Sequence, residues 1–459
     1  MDASPNAVTA AERFACHVIE STYEQLPAAA IAAAKSVILD SLGVAVAGAA
    51  QRAAATLGET AERWGRADEA SVLGSGRHLP APAAALVNGF QIHCQEFDCV
   101  HEGAVVHPMA TVLAASLAFA ERKGGVTGRE LLLAVTLGVD VAVSLGVASR
   151  AAMRFFRPAT AGAFGAVAAL GCLAGLGVPE LVNAFGILLG QVSGTMQPHA
   201  EGKAMLPVQI GFNARNAIVA VDLAAAGIEG PREVFEGRFG YLPLFEGEYD
   251  LAPALAALGK LWRVAELSHK PFPSGRATHG GIDALLQLRA STGFELDDIA
   301  RVTIHAPPLV VQLVGRPLLP DPSPSFARLC LPYVGAVALL NGSVGLDDFR
   351  APRLTDPTVH TLASRIAVMV EGTADKNALL PQRVTVRLAS GMTHEIRLDA
   401  VLGSPARPLT RQQRLAKFRT CWRAGPPGLT AERCEALARM VERLESVADV
   451  AALVALATL

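Results

Sequence analysis

Between Pro158 and Pro179 the chain runs from Ala159 to Val178 without one charged residue. A helix apolar on every face must be covered, either by lipid or by other helices. The run is built from Ala and Gly with few Leu, and no Lys/Arg flank marks one side as cytoplasmic. Small residues let helices approach closely, so the segment reads as a buried helix rather than a membrane span. The whole chain poses the same choice. Of 459 residues 51% are hydrophobic and 18% charged, with a mean hydropathy of +0.35. A chain of this composition has ample material for packed cores and is not intrinsically disordered. Its 40 Lys and Arg nearly balance 42 Asp and Glu, which excludes the basic surface a nucleic-acid binder needs.

The first residues, MDASPNAVTAAERFACHVIE, carry no basic segment followed by an apolar one, so no secretory signal is expected. Seven cysteines (Cys16, Cys94, Cys99, Cys172, Cys330, Cys421, Cys434) are scattered and form no CxxC pair. They read as reduced, buried thiols of a cytoplasmic protein, with no zinc or iron–sulfur site.

From the N-terminus to residue 266, helical spacing with short Gly/Pro breaks predicts a large all-α domain. The clearest helices are Ala28–Gly48, Pro108–Lys123, Gly128–Ala148, Ala159–Gly175 and Asn213–Ala226. Over 267–400 the texture becomes α+β. Arg301–His305, Ile366–Val370 and Val384–Leu388 are rich in β-branched residues, and Ser390-Gly391 marks a hairpin. Helices Gly280–Arg289 and Leu331–Leu340 interrupt the strands. Residues 401–459 return to helix, with Thr430–Leu459 helical almost to the end and packed on the first domain. The fold class is mainly α, a large helical domain with a smaller α+β one.

Four segments place ionisable groups at the first turn of an apolar helix, where positive partial charge favours anions and neutral imidazole. In FDCVHEGAVVHPMATV, Pro108 suits the first helical position and puts His107 at the cap; Asp98 can orient its ring or exchange protons. A metal site from His93, Asp98, His101 and His107 matches no standard spacing, so no metal is assigned. In FFRPATAG, Arg157 precedes a proline and offers a forked cation to a carboxylate. In HAEGKAMLPVQIG, Lys203 and Gln209 lie in a loop before a helix starting near Gly211. In SHKPFPSGRATHGG, a turn delivers Arg276, Thr278 and His279 to another helix start. Together these predict a pocket for a small polyanion with a His/Asp pair moving a proton beside a carboxylate.

The strings LDSLGVAVAG, LVNGFQIHCQEFDCVHEGAVVHPMATVLAA, RPATAGAFGAVAAL, EGKAMLPVQIGFNARNA, GRFGYLPLF, HKPFPSGRATHGGIDA and LPYVGAVALLNG resemble, in order and over nearly the whole chain, the MmgE/PrpD family. That family includes 2-methylcitrate dehydratase, cis-aconitate decarboxylase and iminodisuccinate epimerase. The resemblance implies a homodimer without metal or organic cofactor, acting by proton transfer next to a carboxylate. Asp98 and His107 match the acidic residue and His-Pro of the dehydratase and decarboxylase members, and His279 matches the His of a Thr–His pair. Arg157 stands where those members have a His, and Leu206 where they hold substrate with a Lys. These departures argue against cis-aconitate decarboxylation. The expected activity is dehydration of a small di- or tricarboxylate, with His107 and His279 as acid/base pair and Asp98 orienting His107. Arg157, Lys203, Gln209 and Arg276 would bind substrate. The alternatives are epimerisation of a dicarboxylate and a non-catalytic carboxylate-binding relative.

Overall fold

A computed structural model describes residues 8–459. Two hydrophobic cores organise them. The larger gathers side chains from Ala10 to Leu267 and again from Phe418 to Ala457; the smaller is built mainly from Phe272 to Leu398, joined by Val105 and Met153. Long helices fill the first: Ala28–Ala49, Ala81–His93, Pro108–Lys123, Gly128–Ala148, Arg157–Ala174 and Met205–Ala225.

Three helices are long and apolar enough to cross a bilayer, not the single one expected: Ala28–Ala49, Gly128–Ala148 and Arg157–Ala174. Each is mostly buried by other helices. Glycine explains how closely they pack. A Cβ on Gly138 would lie 2.7 Å from the Gly165 carbonyl, and one on Gly165 would lie 2.4 Å from that of Gly138. Any side chain there forces the Gly128–Ala148 and Arg157–Ala174 helices apart.

The smaller core forms on a four-stranded mixed sheet in the order Ile366–Val370, Ile299–Ala306, Gln382–Leu388, Thr393–Leu398. The first pair is parallel and the others antiparallel, with the expected hairpin at Ser390-Gly391. The His279–Thr292 and Leu331–Asn341 helices cover it.

Two boundaries differ from expectation. The helix expected near Gly211 begins at Met205, so Gln209 sits on a helix rather than in a loop. The C-terminal segment is not one helix: it breaks into Ala431–Glu442, a turn at Leu444–Ser446, and Ala451–Leu456. The break lets backbone leave the helix to pair with the loop before Gly128. Gly128 N–H donates to the Val447 carbonyl and Val450 N–H to that of Val126, while Asp449 accepts from the Gly125 and Ala451 amides.

Candidate active site

The Ala81–His93 helix ends at Cys94, and the chain loops through Glu96, Asp98 and Val105 before re-entering a helix at Pro108. Proline at the first helical position leaves His107 as the cap, as expected. Its side chain makes no capping bond. It turns instead to Asp98, whose Oδ2 lies 3.1 Å from His107 Nδ1 and 3.0 Å from His93 Nδ1. The two imidazole rings meet edge to face, 4.9 Å apart.

Asp98 is fully buried. Burial alone would raise its pKa, but the two imidazoles hold it well below the carboxylate range. An ionised carboxylate only accepts, so both Nδ1 atoms carry the proton. Lys270, also wholly buried, lies 3.9 Å from Asp98 Oδ1 and donates to Glu96 Oε2 at 2.9 Å and to the Glu96 carbonyl at 3.1 Å. Burial again opposes ionisation of Glu96, yet Lys270, His93 and His107 bring its pKa down to about 2. From the C-terminal segment, Lys417 reaches in to donate to the Phe97 carbonyl and to pair with Asp40, both at 2.7 Å.

The histidines diverge. Desolvation lowers the pKa of His107, the opposing pull of Asp98 notwithstanding. Desolvation also acts on His93, but Asp98 and Glu96 together outweigh it and the pKa rises. His107 Nε2 has no hydrogen-bond partner among the described residues and borders a cavity between the two cores. His93 Nε2 faces Glu96 Oε1 at 3.5 Å. Paired titratable groups driven apart by their surroundings are the usual mark of an acid and a base.

The ligand atoms of His93, Asp98 and His107 lie within 4.8 Å of one another, close enough to hold a metal ion. Two N–H bonds converging on one Asp98 oxygen account for that closeness without an ion. His101 is turned away, toward Glu266 and the Ala104 amide.

The cavity is lined by His93, Glu96, His107, His199 and Arg276, with apolar walls from Val100, Val105, Met153, Phe156, Met196, Leu313, Val314, Leu329 and Leu379. Two lining residues, Glu96 (φ 49°) and Val105 (φ 52°), occupy the left-handed region that non-glycine residues avoid. For a β-branched valine this is a marked outlier, and strain of this kind gathers at functional sites.

Of the residues singled out in the sequence, His93, Asp98, His107 and Arg276 converge here. The others do not, each for a visible reason. Arg157 is fully buried and its guanidinium is spent. It donates to both Glu246 oxygens, to the Ala104 carbonyl at 3.0 Å, to Ser149 Oγ at 2.9 Å and to Asn377 Oδ1. It has no donor left for a substrate. Lys203 is exposed and outside the cavity lining. Gln209 clamps the Thr195 backbone, accepting from its amide at 2.7 Å and donating to its carbonyl. Leu206 packs in the helical core.

His279 is buried with both nitrogens engaged. Nε2–H donates to the Ser274 carbonyl at 3.2 Å and Nδ1 accepts from Arg276 at 3.3 Å. Burial and the adjacent Arg276 drive its pKa well below the histidine range, so it fixes the turn rather than facing the cavity. Arg276 borders the cavity while forking onto Glu102 at 2.8 and 3.0 Å. Sequence reasoning passed over Glu96, Lys270 and His199 as site residues.

Two family models together match most of the chain. The MmgE/PrpD N-terminal domain matches residues 12–254 and the C-terminal domain residues 272–446. The chain belongs to the MmgE/PrpD family. It is 28% identical to the cis-aconitate decarboxylase of Mus musculus, over 90% of this chain and 86% of the relative. To the human cis-aconitate decarboxylase it is 28% identical, covering 82% and 79%. To a cis-aconitate decarboxylase-like protein of Aspergillus oryzae it is 29% identical, covering 99% and 98%. These relatives are lyases by name, and at that general level this MmgE/PrpD protein stands with them.

Proposed function

We propose that this MmgE/PrpD protein is a lyase that removes a proton alpha to a carboxylate of a small hydroxy acid and expels water. One observation carries the reading: His107, its Nδ1–H anchored on Asp98, presents an unprotonated Nε2 to a cavity also bordered by a His93 that favours its charged form. His107 Nε2 takes the proton from the carbon. Asp98 stabilises the imidazolium that forms and fixes the ring, as a buried carboxylate does for a base. His93, with Glu96 beside its Nε2, supplies the proton that leaves with the hydroxyl. The carbon–hydrogen and carbon–oxygen bonds break, a double bond forms, and water departs.

Epimerisation needs a base on each face of the carbon. His279, with both nitrogens already engaged, does not supply one. The relatives' names keep decarboxylation as the second reading, since proton transfer by the same pair would complete it. The test is NMR in deuterated water with citrate, 2-methylcitrate, cis-aconitate and N-substituted aspartates. Loss of water, abolished in His107→Ala, upholds the proposal. Release of carbon dioxide favours the second reading. Deuterium entry at the alpha carbon without elimination refutes it.

A further inference from the structure

A carboxylate entering the cavity needs a donor, and the residues expected to supply one do not. Arg157 and Gln209 are engaged by protein, Lys203 is outside the cavity lining, and Arg276 forks onto Glu102. His199 is free. It lies in the short Gln197–Glu201 helix, is nine-tenths buried, and lines the same cavity as His107. Arg316 approaches from the smaller domain, donating one Nη to the His199 carbonyl at 2.9 Å and the other to His199 Nδ1 at 3.0 Å. An arginine only donates, so Nδ1 accepts and the ring proton sits on Nε2. That N–H has no partner among the described residues. It is not sealed in protein either, as the orphaned Ser116 and Ser144 hydroxyls are, and the space it borders is the cavity.

The electrostatics of this edge suit an anion. Burial first, and then Arg316, bring the His199 pKa down to about 4, with Glu96 of the catalytic loop pulling the other way and outweighed. The ring therefore stays neutral and carries no buried charge that would need a counter-ion. Arg316 itself is outside the cavity lining. Its other contacts are the Leu313 carbonyl and the face of the Phe326 ring, and no carboxylate among the described residues pairs with it. Its charge reaches the cavity through the imidazole, since hydrogen bonds in a chain polarise one another.

We infer that His199 is the residue that binds a substrate carboxylate: its Nε2–H donates to a carboxylate oxygen, while Arg316, without touching substrate, positions the ring and fixes its tautomer. This rests on the elimination reading above for what the cavity holds. Donor and backing arginine come from different domains, so the carboxylate is gripped at the boundary on which His107 also opens.

The test is calorimetric binding of citrate, 2-methylcitrate and cis-aconitate to the wild type, His199→Phe, His199→Gln and Arg316→Met. His199→Phe keeps a ring and leaves Arg316 its bond to the backbone carbonyl. A hydrogen bond to a charged group is worth about 10–100-fold in affinity, so His199→Phe should weaken the tightest-bound compound by that factor. His199→Gln, whose amide still donates, should stay within about threefold of wild type, and Arg316→Met should fall between them. Where a compound turns over, the loss should appear in KM rather than kcat. Equal affinity in wild type and His199→Phe overturns the inference, as does binding of none of the three by the wild type. An equal loss in His199→Phe and His199→Gln marks a merely structural ring and also overturns it. Wild-type affinity in Arg316→Met overturns the positioning role. Binding that depends on His199 without any water loss upholds the inference and sinks only the elimination reading. Water loss that depends on His107, with affinity unchanged in His199→Phe, sinks only the inference.

Discussion

Arg157 separates two roles that a sequence treats alike, anion-binding arginine and buried clamp, and Arg157→Met decides between them. The side chain is fully buried and its partner Glu246 is 5% exposed. Removing it strands Glu246 with only the Tyr241 hydroxyl, 3.0 Å away, and leaves the Ala104 carbonyl and Ser149 hydroxyl without their donor. Breaking a buried pair by deleting one member costs about 3–5 kcal/mol. The unfolding entropy of a chain this long is about 1 kcal/mol/K near the midpoint, so Tm should fall by about 3–5 °C. Deleting both charges, in Arg157→Met/Glu246→Leu, should recover part of that loss, because no buried carboxylate then lacks its cation. The assay is thermal unfolding by circular dichroism, with and without a saturating carboxylate ligand. A ligand held elsewhere raises Tm by a similar increment in variant and wild type. An unchanged Tm, together with a ligand increment that disappears, would refute the clamp and restore Arg157 as a substrate ligand.

His107→Gln should lower kcat by about 10²–10⁴-fold, the usual worth of a positioned base, while Tm moves little; a rate within threefold of wild type rules out the base role. The pH profile of kcat/KM should be bell-shaped with its limbs spread to either side of the ordinary histidine value of 6.5. His107 must be neutral and its pKa is lowered, so activity persists as pH falls through that value and is lost only below it. His93 must be charged and its pKa is raised, so the alkaline loss comes above it. His93→Gln should remove the alkaline limb and keep the acid one, and a profile unchanged by that substitution excludes His93 as the acid. Prolonged dialysis against EDTA should leave kcat unchanged, since hydrogen bonds account for the His93–Asp98–His107 cluster; a loss reversed by a divalent ion overturns that account.

Much of the architecture was legible because its boundaries are written in local chemistry. Pro108 at the first turn and Gly124 after the last bound the Pro108–Lys123 helix, and the Thr127–Glu130 capping box opens the one that ends at Ala148. The same logic found His107, whose place depends on the proline beside it. His93 and Glu96 carry no comparable mark. His93 closes an ordinary apolar helix, and Glu96 becomes a site residue only because the loop holds it at φ 49° under Lys270, which lies 174 residues away. His199 is invisible for a similar reason: its neutral, donating form is set by Arg316 across the domain boundary.

The residues that prove to be already paired share one cause, and it bears on what a reactive group is in a buried site. Arg157, Arg276 and His279 were read as free because each begins a helix, and a helix N-terminus does favour anions. A cation buried there must still be neutralised, since an unpaired charge away from water is costly. Glu246 answers Arg157, Glu102 answers Arg276, and Ser274 and Arg276 occupy both nitrogens of His279. The near-zero net charge of the chain is the global form of that pairing. What remains for chemistry is whatever the pairing leaves over, and at this cavity that is mostly imidazole: His107 Nε2 as acceptor and His199 Nε2–H as donor. Imidazole is the side chain that can stay buried, neutral and unpaired on one side at modest cost, because one ring nitrogen is satisfied by protein while the other waits for substrate. The strained Glu96 and Val105 lie on the same wall, where the fold tolerates a cost it avoids elsewhere.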